Sequence, residues 1–217
     1  MARYLGPKCR YCRIEHQALG LKGERCASPK CPLRKMSGAA HSGIPGKDPK
    51  VRQKKLTDYG IQLREKQKLK RIYGMLEKQF HLTFMEANRL PGKTGDNMIK
   101  LLERRLDNVV YRLHFAPSRP AASQLVSHGH IFVNGKRVDI PSYEVKPGDE
   151  ISVAPLSKKL TVIQNSLAPY SKSNNTEPWL TLDTTEMKGT FVAVPERADV
   201  RELEKINEQL VVELYSR

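Results

Sequence analysis

The dipeptide Asn134-Gly135 restricts this chain's fold more than any other stretch. It lies between Ile131-Phe132-Val133 and Lys136-Arg137-Val138-Asp139-Ile140. A two-residue loop of this kind reaches positive φ cheaply at both positions, and alternating apolar residues on either side make an antiparallel hairpin. Pro147-Gly148-Asp149 then turns the chain into a third strand, Ile151-Ser152-Val153. Upstream, Leu102, Leu106, Val109, Val110 and Leu113 recur at helical spacing. Ser118 to His128 predicts a further helix, with Leu125 and Val126 inward and Ser118 as N-cap. Helix, helix, hairpin and strand within residues 104–154 form a unit with a small core of its own.

The flanking segments are less regular. Ala39 to Gln53, with two Gly and two Pro and little apolar content, reads as a basic linker or an extended RNA-contacting segment. Leu56, Tyr59, Leu63, Leu69, Ile72, Leu76 and Phe80 predict amphipathic helix. Pro91-Gly92-Lys93-Thr94 has the end of a phosphate-binding loop, but its first glycine would have to be Ala87, so it reads as a turn. Further on, Leu160 to Ile163 fits helix or strand, and Ser171 to Pro178 is loop. Trp179 to Leu182 and Phe191 to Val194 read as short strands. Asp199 with Glu202 predicts a cap for a helix bearing Leu203, Ile206 and Leu210.

All four cysteines fall in the first 31 residues: Cys9, Cys12, Cys26 and Cys31. Disulfides, unrelated core thiols, a metal site and an iron–sulfur cluster are the competing explanations. No secretory start is visible in Met1 to Pro7, so the expected compartment is one that keeps thiols reduced. Lys8, Arg10, Arg13, Arg25 and Lys30 beside the cysteines leave little room for a core. Cys-x2-Cys followed by Cys-x4-Cys offers two thiolates from each of two turns, which closes a tetrahedral shell. Zinc is the expected metal; the spacing departs from the common iron–sulfur runs, which stay as the second choice. A filled shell has no position for a catalytic water, so the metal would fold residues 1–45 and carry out no reaction.

Charge divides along the chain. Residues 1–55 carry 14 Lys/Arg against 3 Asp/Glu, residues 56–116 carry 12 against 7, and residues 117–217 carry 12 against 13, for a total of +15. A basic front half points to a polyanionic partner, nucleic acid above all. The longest run of large apolar residues, Phe191 to Val194, is far below the roughly 20 residues a membrane helix needs. No nucleophile, zinc-protease or dinucleotide signature is present, and His128-Gly129-His130 is the one close histidine pair. The reading is therefore of a non-enzymatic binder with no small-molecule substrate and no membrane contact.

Seven stretches together resemble one family. They are Met1-Ala2-Arg3-Tyr4-Leu5-Gly6-Pro7-Lys8, Leu56-Thr57-Asp58-Tyr59-Gly60, Arg104-Arg105-Leu106-Asp107-Asn108-Val109-Val110-Tyr111-Arg112 and Gln124-Leu125-Val126-Ser127-His128, with Val133-Asn134-Gly135, Gly189-Thr190-Phe191 and Val212-Glu213-Leu214-Tyr215-Ser216. As a set they resemble the small-subunit ribosomal protein four family, of bacterial or organellar type and in a cysteine-bearing form, from the first residue to the last.

The resemblance implies an α+β chain. A mainly helical domain of residues 46–100 plus 160–217 would hold an inserted small RNA-binding domain, residues 101–159, behind the zinc-binding segment 1–45. It implies a primary binder of small-subunit ribosomal RNA that nucleates subunit assembly, lies near the messenger entrance and affects translational accuracy. It also implies contact with the fifth small-subunit protein and its neighbours, on ribosomes of the cytoplasm or of an organelle's stroma or matrix. Arg119, Gln124, His128, Asn134 and Lys136 fall on the helix and hairpin face that the small domain uses in relatives, with Arg119 exposed beside its helix N-terminus. Arg52, Lys54 and Lys55 match a basic stretch near the messenger path. Arg3, Lys8, Arg10, Arg13, Lys70, Arg71 and Arg104 complete the candidate RNA-binding set. Two other classes compete: an RNA-modifying enzyme carrying the same small domain, and a zinc-bearing DNA-binding module. The first would need a catalytic domain, the second a recognition helix or dimer interface.

Overall fold

The computed structural model describes residues 4–35, 55–170 and 177–216; the linker at 39–53 lies outside them. In chain order its helices are α1 (Cys9–Glu15), α2 (Glu24–Ala27), α3 (Pro32–Lys35), α4 (Asp58–Ile72), α5 (Glu77–Arg89), α6 (Thr94–Glu103), α7 (Leu106–Arg112) and α8 (Arg119–Ser127). The strands β1 (Ile131–Val133), β2 (Lys136–Arg137) and β3 (Glu150–Val153) follow, then α9 (Thr161–Leu167), β4 (Leu180–Asp183), β5 (Lys188–Phe191) and α10 (Glu208–Tyr215). The chain divides into two compact units: Met1–Leu82 with Leu203–Arg217, and Thr83–Glu202.

The first unit is built on α4. Thr57 caps it by accepting from the Gly60 N–H at 3.2 Å. The sequence pattern turned Leu56 and Tyr59 inward, yet both are exposed, and the buried side chains are Gln62, Glu65, Lys66, Leu69 and Ile72. The C-terminal segment meets Gln62 and Glu65, and Glu77 of α5 meets Lys66. Gln62 donates to Glu213 at 3.1 Å, and Glu65 accepts from the Asn207 N–H at 3.2 Å. Leu69, Ile72, Phe80, Leu203, Ile206 and Val211 supply the apolar core. The cap of α10 is Asn207, whose side chain accepts from the Gln209 N–H; Asp199 accepts instead from the Glu196 N–H. The helix expected from Asp199 onward therefore starts later, after a short 3-10 turn at Arg201–Leu203.

In the second unit, the helix expected through Leu102 to Leu113 is broken at Arg105, which is extended (φ −65°, ψ 135°). The N–H groups of Leu106 and Asp107 bond to the carbonyls of Tyr143 and Pro141, so the first turn of α7 is satisfied by a distant loop. Leu102, Leu106, Val109, Val110, Leu113 and Val126 are buried as the pattern required. The hairpin forms with φ 49° at Asn134 and 75° at Gly135, and Val133 pairs with Lys136. Ser118 occupies the N-cap position of α8 without a side-chain capping bond.

Residues 160–200 depart furthest from expectation. The Leu160–Ile163 ambiguity resolves to helix α9. The strands β4 and β5 join the hairpin in one antiparallel sheet of order β2-β1-β3-β5-β4, with Ile151 opposite Gly189. Residues from 203 onward share the unit that holds α4, whereas the resemblance grouped all of 160–217 with residues 46–100. Strand pairing across such a separation leaves no local trace in the chain.

Candidate nucleic-acid interface

The first unit carries 22 Lys/Arg against 9 Asp/Glu and the second 16 against 14. Arg10, Lys22, Arg25, Lys30, Lys55 and Lys78 of the first unit are exposed and make no ion pair among the described residues. Lys22, Arg25, Lys30 and Lys78 were absent from the candidate set, although their place among or near the cysteines and along α5 was the available signal. Arg3, Arg52 and Lys54 lie outside the described residues.

Other cations of this unit face inward. Lys8 donates to the Tyr4 carbonyl at 3.0 Å and lies over the Tyr4 ring. Arg71 stacks 4.5 Å from the Tyr11 ring centroid and pairs with Glu15, which Arg64 also approaches. Burial pushes the Glu15 carboxyl up, against the pull of Arg71 and Arg64. Lys70 meets Glu77 at 2.7 Å. Burial also works to raise Glu77, but hydrogen bonds from Lys66, Lys70 and Tyr215 hold it at about 2. These contacts fix α1 and α10 around α4, so Lys70 and Arg71 spend their charge inside the protein.

In the second unit the largest correction is Arg119. Expected at the surface, it is 6% exposed. Its Nη1 and Nη2 donate to Glu202 at 2.8 and 2.6 Å, its Nε donates to Asn108 at 2.7 Å, and the guanidinium lies 4.6 Å from the Tyr111 ring centroid. Arg112 beside it forks onto Glu103 at 3.2 and 3.1 Å and reaches Glu177 at 3.0 Å. Arg105 forks onto Asp107. The stretch Arg105 to Arg112 therefore belongs to a buried ionic lattice, in which each charge needs its partner. Arg119 cannot reach phosphate without leaving it. Arg104 is held at the Val145 carbonyl, 3.2 Å away, with Glu144 at 3.5 Å.

Exposed polar groups along the end of α8 and the hairpin include Gln124, His128, Lys136 and Arg137, and Lys93, Lys146 and Lys159 are exposed elsewhere in the unit. Arg137 was missing from the candidate set. It leans over Gly129 and donates to the His128 carbonyl at 3.4 Å, through space that a side chain at residue 129 would fill. Asn134 is exposed, but its amide is engaged by Asp149 at 2.8 Å and the Glu150 N–H at 2.9 Å, which fastens the turn to β3. His128 and His130 stand 5.9 Å apart between ring centroids, and His130 Nδ1 is bonded to Ser157.

The four cysteines sit on and around α1, α2 and α3; all are free thiols, with Cys12 and Cys31 buried. Cys12 feels the charge of Cys26, Cys9 and Cys31, and its thiol is pushed up chiefly by burial. Among the described residues no three His, Cys, Asp or Glu side chains are gathered as a metal shell. In number and chemistry the thiols match a four-thiolate donor set, and Cys9, Cys26 and Cys31 all lie near enough to Cys12 to act on its charge. The segment is not without a core of its own, since Leu19 and Leu21 are buried with Cys12 and Cys31.

Surfaces of this kind, cationic on a folded scaffold of helices and a small sheet, define a class of proteins that meet polyanions. The family described as Ribosomal protein S4/S9 N-terminal domain matches residues 3–103, and the S4 domain matches residues 104–151. Proteins named small ribosomal subunit protein uS4 from Thermus thermophilus (52% identical), Thermoanaerobacter pseudethanolicus (53%) and Desulfitobacterium hafniense (50%) are similar over 100% of both chains. The chain belongs to the uS4 family of small ribosomal subunit proteins.

Proposed function

We propose that this chain is a structural constituent of the small ribosomal subunit and a primary binder of its RNA, without catalytic activity. The observation that carries this reading is the concentration of charge: the first unit has 22 Lys/Arg against 9 Asp/Glu, with exposed cations on the cysteine segment. RNA duplexes and junctions are met largely through phosphates and shape, which asks for such a surface and few aromatic residues. Arg10, Lys22, Arg25, Lys30 and Lys55 would meet phosphates from the first unit, and Gln124, His128, Lys136 and Arg137 would contribute a smaller surface from the second. Nucleation of subunit assembly, a place near the messenger entrance, an effect on accuracy and contact with the fifth small-subunit protein belong to the same proposal.

Cys9, Cys12, Cys26 and Cys31 would hold zinc, and the bound metal would supply a structural cross-link. Around it, α1 already docks on α4 through Glu15, Arg71 and Tyr11. The metal would thus fix the cysteine loops, while the attachment to α4 stands on the protein's own contacts.

The test is a binding competition using the full chain. The expected result is preference for a small-subunit ribosomal RNA fragment over duplex DNA of equal length by at least tenfold at fixed salt. Equal affinity for the two would contradict the proposal and favour a general polyanion binder.

A further inference from the structure

Arg13 is one turn after Cys9 on α1 and directly follows Cys12. Residues four apart share a helix face, which puts Arg13 on the face of α1 that carries Cys9. The Arg13 Nε is buried and has no hydrogen-bond partner among the described residues, a rare state for a buried N–H group. Glu15, the buried carboxylate of the same helix, is already engaged by Arg71 and Arg64. A buried donor without an acceptor among the described residues, on the helix that carries two of the four thiols, calls for an acceptor, and a metal-bound thiolate would be one.

We infer that Arg13 is a positioning residue of the cysteine site: with metal bound, its Nε–H donates to the thiolate of Cys9. The inference rests on the zinc reading above. Four thiolates around a divalent cation carry a formal charge of −2, and thiolate sulfur accepts hydrogen bonds that a neutral thiol attracts only weakly. Arg13 would offset part of that charge and orient Cys9. Groups that orient metal ligands in this way typically change metal affinity about 10- to 100-fold when removed. Arg13 accordingly leaves the set of phosphate-facing cations.

The test uses the full chain, reduced and stripped of metal, titrated with cobalt(II) and then with zinc against a chromophoric chelator. Wild type should take up one equivalent of cobalt with the absorption of a four-thiolate site. Arg13→Met should weaken zinc binding at least tenfold and shift the sulfur-to-cobalt charge-transfer band. Arg13→Lys, which retains the charge but has a methylene where Nε stands and its donors one atom further out, should show the same band shift with a smaller loss of affinity. It carries the test should the Met variant lose its apo helical signal. Wild-type affinity and an unmoved band in Arg13→Lys would overturn the hydrogen bond. A wild-type chain that takes up neither metal overturns the zinc reading, and the inference with it.

Discussion

Arg119 and Glu202 show how far one side chain's role depends on partners remote in sequence. The guanidinium is packed against Tyr111 and bonded to Asn108 and Glu202, so truncation strands a carboxylate that Arg112 alone can then neutralise. Arg119→Ala should cost about 1–3 kcal/mol of stability in urea unfolding, chiefly because it leaves the buried Asn108 side-chain carbonyl without its donor, Glu202 itself being exposed. The folded fraction should keep its RNA affinity. Unchanged stability with lost affinity would return Arg119 to the surface. Burial works to raise the Glu202 carboxyl, but Arg119 and Arg112 hold it at about 2, below its ordinary 4.5. The folded state therefore binds fewer protons in that interval, and the pair's contribution, full above pH 4.5, is lost as pH falls through about 2. Stability measured across this window should fall less steeply in Glu202→Gln than in wild type. The sequence showed Arg119 at a helix start and Glu202 in a cap with Asp199, and nothing joined the two, because the pairing spans 83 residues.

Among the elements, those defined by local chemistry were legible. The hairpin follows from Asn134-Gly135, and the inward face of α8 from Leu125 and Val126. Three features were not legible for a shared reason. The buried stripe of α4 is polar, with Gln62 and Glu65 met by Glu213 and the Asn207 N–H. Tyr143 and Pro141 split α7 from α6, and β5 joins β3 across the intervening α9. In each case a distant segment overrode the local pattern. The hairpin also sets the register that projects Lys136 and Arg137. Gly135 has φ 75° with open space around it, so only backbone strain opposes a side chain there. Gly135→Val should cost about 1–3 kcal/mol, the range for a bulky residue forced into this region. RNA affinity should fall modestly, as Lys136 and Arg137 shift. Thermal unfolding and binding of the variant check this, and an unchanged melting temperature would contradict it.

At the scale of the whole molecule, charge is the property that the sequence conveyed best and the site residues the one it conveyed least evenly. The basic front half was visible in composition, and 20 of its 26 Lys/Arg fall in the first unit. Which cations face outward was not visible, because Arg71, Lys70, Arg119 and Arg104 look like their exposed neighbours until Glu15, Glu77, Glu202 and Val145 arrive. The central claim is that binding is driven by phosphate contacts made chiefly by the first unit. The most direct test is the salt dependence of affinity for the ribosomal RNA fragment. It compares wild type with two variants, one with Arg10, Arg25 and Lys30 changed to Gln and one with Lys136 and Arg137 changed to Gln. Each lost phosphate contact lowers the slope of log affinity against log salt by about 0.7–0.9. A steep wild-type slope, flattened by about 2.1–2.7 in the first variant and by at most about 1.4–1.8 in the second, is the predicted result. A nearly flat wild-type slope, or a larger loss in the second variant, would contradict the account.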